Sequence, residues 1–291
     1  MADDGYVTKF ARLTGAHGEV ILSTGELPSD AELWLTGLNG WFGGVGVEAN
    51  DVQRKLGHGM MSNPALRTGR TITLGGYFEF DSDRTRSIAD RFVSGILFDG
   101  KLGTLTVSIY GLELHTRVRL DGEIKHTYES GMRAFNVEIP LVAPEPWLYT
   151  EPRIYQIFPA GAGTGLKYPL FAPKPAGVLS YGEQAPQGAA IAHEGNATAY
   201  PKYVVQGEWA SGFRLTASGN IIEYPYPVHP TANVEIDCAT GQVLIAGMDH
   251  TYQLTRREWH KAPPHTGFTV EVEALAPSTG WVDVHFKDTY I

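Results

Sequence analysis

Short runs in which apolar and polar residues alternate strictly, each closed off by glycine or proline, constrain this chain more than any other feature. Successive side chains on a strand point to opposite faces, so strict alternation marks a strand with one buried face. From Thr71 to Phe80, Ile72, Leu74, Gly76, Phe78 and Phe80 fall on one face, and Thr71, Thr73, Tyr77 and Glu79 on the other. Leu105, Val107 and Ile109 repeat the pattern, and so do Phe135, Val137, Ile139 and Leu141. Leu112, Leu114, Val118 and Leu120 are expected to face inward against Glu113, His115, Arg117 and Arg119, with Asp121-Gly122 as a two-residue hairpin turn. The second half reads the same way through Phe213 to Thr216, Val234-Ile236-Cys238, Val270-Val272-Ala274 and Val282-Val284-Phe286. With 34 glycines and 18 prolines as punctuation, the pattern predicts an all-β chain of two β-sandwich domains.

One helix interrupts the strands, predicted from about Arg84 to Leu97 with Ser82 or Asp83 as its cap. Ile88, Phe92 and Ile96, widened by Ala89 and Val93, form an apolar stripe expected to pack on a sheet. Residues from about 39 to 69, including Asn39-Gly40-Trp41-Phe42-Gly43-Gly44, show little core pattern. A stretch that long without burial reads as an arm or interaction loop. Pro144-Glu145-Pro146-Trp147 and the later Pro159 to Gly165 run mark a boundary. The predicted domains are therefore residues 1–145, a linker at 146–165, and residues 166–291.

Charge and composition exclude several classes. The formal charge of −9, with 23 Lys and Arg against 32 Asp and Glu, and the lack of a basic stripe disfavour nucleic-acid and membrane-surface binding. One cysteine, Cys238, excludes an internal disulfide framework and a thiolate metal cluster. No apolar run approaches the roughly 18 residues of a bilayer span, and the start, Met1-Ala2-Asp3-Asp4-Gly5-Tyr6, is acidic where a secretory signal is basic. The expectation is a soluble product made in the cytoplasm, in which the Asn196-Ala197-Thr198 sequon is a chance match.

Catalytic chemistry is not legible. Gly95-Ile96-Leu97-Phe98-Asp99-Gly100-Lys101-Leu102 has Walker glycine spacing, but Leu102 replaces the hydroxyl residue and the loop leaves a helix to enter a strand. Gly161-x-Gly163-x-Gly165 lacks a following helix and reads as a linker. Glu113, Asp121, Glu123, Glu271, Glu273 and Asp283 could supply a glycosidase pair, yet all are expected on wet faces. Cys238 lies on the apolar side of its strand, as a packed hydrophobe rather than a thiolate nucleophile. Glu258-Trp259-His260 with His265 is an incomplete metal set read as a surface loop. No catalytic, cofactor or metal residue is therefore assigned. Trp209, Tyr224, Tyr226, Trp259 and Trp281 are candidate sugar platforms, although core packing or subunit contact accounts for most such residues.

The second half carries a recognisable succession. It runs from Tyr168-Pro169-Leu170 through Gly195-Asn196-Ala197-Thr198-Ala199-Tyr200-Pro201, Val204-Val205-Gln206-Gly207 and Phe213 to Thr216 with Gly219. It continues through Val234-Glu235-Ile236-Asp237, Gly241-Gln242-Val243 and Leu254-Thr255-Arg256-Arg257-Glu258-Trp259. In order and spacing over residues 166 to 262 it resembles the distal tail proteins of long-tailed phages, the siphovirus tail component family. The first half resembles them in organisation, with an arm, the strand Gly69-Arg70-Thr71-Ile72-Thr73-Leu74, one helix and a meander. The usual Pro-Gly after Arg-Glu-Trp is here Ala262-Pro263-Pro264-His265.

The resemblance implies a non-enzymatic structural protein of the virion, at the tail tip and made in the host cytoplasm. Its N-terminal sandwich would form a ring, commonly a homo-hexamer, and its C-terminal sandwich would be galectin-like. Partners would be tail-tube or terminator-side proteins on one side and tail-tip or baseplate proteins on the other. DNA would pass through the channel without specific binding, no cofactor would be needed, and no membrane would be engaged. The arm at residues 43 to 69, with Arg54, Lys55, Met60 and Met61, is the candidate to reach a neighbouring copy. The alternative implied function is a carbohydrate-binding module or host-surface adhesin, acting through a host glycan at the C-terminal domain.

Overall fold

The computed structural model describes residues 8–24, 33–128, 133–160, 166–171, 179–181 and 186–291. The Gly161 to Gly165 run lies outside them. The chain divides into two units, Met1–Glu151 with Ile291, and Pro152–Tyr290. Each is built mainly from antiparallel strands whose alternation sets which side is buried.

In the first unit β1 (Thr8–Gly15) and β2 (Gly18–Ser23) form a hairpin, followed by β3 (Leu33–Asn39). Four two-residue strands come next, β4 (Val47–Glu48), β5 (Val52–Gln53), β6 (Met60–Met61) and β7 (Leu66–Arg67). Then come β8 (Arg70–Glu79), the helix α1 (Asp83–Ser94), β9 (Gly103–Ile109), β10 (Leu112–Leu120), β11 (Lys125–Tyr128), β12 (Ala134–Ala143) and β13 (Leu148–Tyr149). Neighbours run β11-β12-β8-β3-β2-β1-β9-β10-β13, with β2 and β3 parallel. An added pairing of β10 with β12, Arg119 opposite Val142 and Leu120 opposite Leu141, closes a 7-strand barrel. Leu13, Leu22, Ile72, Leu74, Leu105, Val107, Ile139 and Leu141 are fully buried.

That closure departs from the sandwich expected for this half. Alternation reports which face is dry, but not whether the two outer strands of a sheet find each other. β12 does the closing because it is 10 residues long, enough to pair with β8 along its length and still reach β10. The Asp121-Gly122 hairpin is likewise corrected. β11 pairs with β12 and not with β10, and the Asp121 amide donates to the Pro140 carbonyl at 2.9 Å. Leu112 is exposed, not inward-facing, because it begins β10 directly after the turn at Tyr110 and Gly111.

α1 is capped by Ser82, whose hydroxyl accepts from the Thr85 amide, and ends at Gly95. Its expected stripe is only partly buried. Val93 and the following Ile96 are inside, while Ile88 and Phe92 are half or more exposed. Polar contacts on another side explain the stand-off: Asp90 bonds His126 of β11, and Arg86 lies 3.9 Å over the Tyr128 ring. A groove of about 500 Å³ remains between the helix and β2, β3 and β8, lined by Val20, Leu33, Phe78, Ile88 and Phe92 among others.

The second unit begins inside the stretch read as a linker. β14 (Arg153–Ile157) is a strand there, and so is β13 of the first unit, because Leu148 and Ile157 are buried anchors. After it come β15 (Leu166–Phe171), β16 (Leu179–Tyr181), β17 (Gly188–Ala192), β18 (Lys202–Gln206), β19 (Phe213–Ala217), β20 (Asn220–Tyr224), β21 (Val234–Asp237) and β22 (Gln242–Ile245). A short β23 (Met248–Asp249), a 3-10 turn at Thr251–Gln253, β24 (Arg256–Arg257), β25 (Gly267–Ala274) and β26 (Trp281–Phe286) follow. One sheet is ordered β14-β26-β18-β21-β22-β23 and another β17-β25-β19-β20-β24. Tyr203, Val205, Ile236, Val282 and Val284 of the first join Phe213, Leu215, Ile222, Val270 and Val272 of the second in one buried cluster. Ser218 and Gly219, with φ of 50 and 84°, make the tight β19–β20 turn.

Candidate functional site

The sequence leaves two places open for contact with another molecule, the arm and the aromatic surface of the second unit. The arm is built from its root outward. At Gly40 φ is +78°, and a Cβ would overlap the Thr71 carbonyl, so only glycine allows the chain to turn away from β8. Trp41 then folds back and is buried, an anchor hidden within a stretch that shows no core period. Arg70, 1% exposed, closes the root. Its guanidinium donates to the carbonyls of Gly40 (3.0 Å), Trp41 (2.8 Å), Gly43 (3.4 Å) and Pro146 (3.1 and 3.2 Å). These bonds involve carbonyls alone, and burial lowers the Arg70 pKa.

Beyond the root the arm is ordered by its own backbone. β4 pairs with β7 and β5 with β6. The Thr68 amide donates to Gly46, the Arg54 amide to Gly59, and the Asn63 amide to the Asp51 carboxylate. Its side chains are nevertheless left in solvent. Val47, Val52, Met60, Met61 and Leu66 are all more than half exposed, and Leu56 is 95% exposed. An ordered ladder carrying unburied aliphatic and thioether side chains has the composition of an interface, not of a solvated loop. Arg54 and Lys55 lie on the same exposed stretch.

The groups considered for catalysis are accounted for otherwise. In the Walker-like loop the amides of Gly95, Ile96 and Gly100 donate to Arg91, Val93 and Leu97 carbonyls, so they are not aimed at a ligand. Lys101 meets Asp99 at 3.6 Å, and His17 meets the same carboxylate. Glu113, Asp121, Glu123, Glu271 and Glu273 are exposed. Glu273 is bound by Arg214 at 2.9 Å, and Asp283 accepts from the amides of Gln156 and Gln206. Asp81, Glu223, Asp249 and Glu258 have pKa values held below the ordinary range, in each case chiefly by hydrogen bonds from side chains. They are fixed carboxylates and not proton donors. Burial pushes the Cys238 thiol up to about 12.

The metal set also dissolves on inspection. His260 is fully buried, accepting from the Tyr203 hydroxyl at Nδ1 (2.7 Å) and donating from Nε2 to the Asn220 carbonyl (3.2 Å). Glu258 is held by Arg256 and the Ile221 amide, and His265 sits exposed in the following loop. Among the described residues, no group of three or more potential ligands converges, and no helix is long and apolar enough to cross a membrane.

Of the five aromatic candidates, Trp209 and Tyr224 belong to the core. Trp209 packs edge-on against Phe213 and donates to the Gln206 carbonyl at 2.9 Å. Trp259 packs against the same cluster and Trp281 is half-buried on β26, whereas Tyr226 is 48% exposed. Tyr252, 70% exposed on the 3-10 turn, is the aromatic that period-based reading passes over. It stands in no alternating run, so no pattern singles it out.

No protein-family model matches the sequence, and no curated protein matches it either. Solved structures do resemble it. The Dit protein of phage SPP1, described as a paradigm of the hub of the adsorption apparatus in phages infecting Gram-positive hosts, superposes with a TM-score of 0.62 at 9% identity. That match covers 89% of this chain and 94% of the other. A chain of the phage P2 baseplate, in its activated conformation with Ca, gives 0.50 at 10% identity over 97% and 98% of the two chains. Across most of both its units, this chain therefore shares the fold of a phage adsorption-hub protein.

Proposed function

We propose that this chain is the distal tail protein of a long-tailed phage, a baseplate hub without enzymatic activity that joins the tail tube to the host-recognition tip. The shared fold carries this reading, since a match of that coverage must include most of both units. The first unit, taken as residues 1–145, is the ring-forming domain, and the second, residues 166–291, is a galectin-like sandwich. The arm at residues 43 to 69 reaches a neighbouring copy, with its root fixed by Arg70 and its exposed methionines and aliphatics supplying the contact. Such a head-to-tail contact requires two different patches per subunit and closes into a ring, here a homo-hexamer. With −9 per subunit, the assembly presents DNA with an acidic protein that repels phosphate, which suits passage and not retention. Tail-tube and tip proteins dock on the two ring faces, so the protein belongs to the virion tail.

Native mass spectrometry on the full chain tests this. A species near six times 31.8 kDa is expected. A monomer at every concentration, with or without tail-tube protein, would overturn the ring.

One observation favours a second reading, in which the C-terminal unit also touches a host glycan. Among the described residues, the large hydrophobic side chains exposed on this unit are only Ile154, Tyr200, Tyr226, Met248 and Tyr252, whereas the first unit exposes many aliphatic ones. Exposed tyrosine on a polar surface suits a sugar better than it suits a subunit core.

A further inference from the structure

The arm and the groove beside α1 lie at opposite ends of one strand pair. β3 and β8 run antiparallel, with Leu33 opposite Phe78 at one end and Asn39 opposite Thr73 at the other. Leu33 and Phe78 line the groove, whereas the arm leaves after Asn39 and returns at Arg70. The register separates these ends by roughly 17 Å along β8. Gly40 then turns the arm away from β8, so its own groove lies behind it. Two unlike patches, placed apart on each subunit, are what head-to-tail association requires.

The groove stays open because α1 is held back from closing it. Asp90 bonds His126 and Arg86 lies over the Tyr128 ring, which fixes the helix with Ile88 and Phe92 half or more exposed. Packed proteins rarely leave a cleft walled by Val20, Leu33, Phe78, Ile88 and Phe92 unfilled. Among the described residues, Glu19 is the charged group that lines it, and its contact with Arg12 is long (3.9 Å) and half exposed. The outer end of the arm complements this in shape and charge. The Arg54 amide donates to the Gly59 carbonyl and closes a turn on which Leu56 stands almost wholly exposed. Val52 is opposite Met61 and Gln53 opposite Met60, so Val52 and Met61 share the one wholly apolar face. From Arg54 to Met61 the chain carries Arg54, Lys55 and His58 and no carboxylate.

We propose that the groove of one copy receives the arm of the next, with Leu56 seated between α1 and β2, Val52 and Met61 against Ile88 and Phe92, and Arg54 or Lys55 beside Glu19. This rests on the reading that the arm makes the contact between copies, and it names what the arm meets there. Each copy gives one arm and receives another, which covers apolar side chains that neither copy covers alone. The pairing with Glu19 lies at the rim, where it sets register more than affinity.

The test puts the photoreactive residue benzoylphenylalanine at Leu56 of the full chain, labels that chain with a heavy isotope, and mixes it with unlabelled parent before irradiation, with and without tail-tube protein. A second chain carrying the same residue at His58 serves if bulk at Leu56 itself blocks assembly. Mass spectrometry of the digest should join the arm of a heavy chain to a light peptide of α1 or β2. Ile88→Glu should weaken assembly about tenfold or more in native mass spectrometry, while Ile88→Leu should assemble as the parent does. The unfolding midpoint of Ile88→Glu should match that of the parent, because the side chain is more than half exposed, and this separates lost contact from lost fold. Links confined to the heavy chain itself, links to another surface of the light chain, or full assembly of Ile88→Glu overturn the groove and leave the ring standing. A parent that is monomeric under every condition overturns both.

Discussion

His260 shows how one residue in the core makes the molecule sensitive to acid. Nε2 faces the Asn220 carbonyl, which can only accept, so in the neutral ring Nε2 donates there and Nδ1 accepts from the Tyr203 hydroxyl. Burial pulls the pKa down to about 4 from the ordinary 6.5. A histidine with a depressed pKa stabilises the fold fully above its unfolded value and loses that contribution as pH falls through 6.5 toward 4. The loss over this window is roughly 3 kcal/mol at one site. Urea unfolding at pH 7.5, 5.5 and 4.5 should show this slope in the parent and a flatter one in His260→Gln. Equal slopes would mean that His260 is not the sensor. Trp209 supports a second prediction at this scale. Because the ring is fully buried and a Cβ at Gly280 would overlap it, Trp209→Ala empties a packed site. A loss of about 3–5 kcal/mol is expected by denaturant titration. Retained stability with loss of glycan binding would instead make it a platform.

At the scale of elements, the arm and α1 place apolar side chains where their own unit does not cover them. Replacing Met60 and Met61 by Glu should leave folding almost untouched, within about 0.5 kcal/mol, because both side chains are more than half exposed. The same change should shift the oligomer to monomer in native mass spectrometry, since two charges cannot be buried unpaired in a subunit contact. An unchanged oligomer would remove the arm from the interface. Arg70→Met separates root from arm. It leaves the carbonyls of Gly40, Trp41 and Pro146 without their buried donor and should cost about 2–4 kcal/mol, read as a lower unfolding midpoint. Hydrogen exchange should then accelerate at residues 40 to 46 more than in β9 or β12. Uniform acceleration would show that Arg70 supports the barrel and not the arm.

For the whole molecule, most exposed aliphatic side chains lie on the first unit, while exposed tyrosines occur on both, Tyr110 and Tyr128 on the first and Tyr200, Tyr226 and Tyr252 on the second. Truncation checks whether the arm carries the assembly contact proposed for the first unit. A chain in which residues 44 to 68 are replaced by a short Gly-Ser linker should remain folded, because the removed ladders bury nothing of the barrel, and it should be monomeric. A chain that fails to fold would show that the arm stabilises its own unit.

The strands, the capped helix and the unpatterned arm were legible in sequence because each follows from local periodicity or from its absence. Ile72 and Leu74 had to be buried once the alternation was read. Three outcomes depended on residues far apart in the chain: the closure of β10 onto β12, the clamp of Arg70 on Pro146, and the exposure of Ile88 and Phe92. Periodicity records which side of an element is dry. Which other element covers that side, and which polar groups meet across it, is set by long-range packing, so only the tertiary structure could decide them.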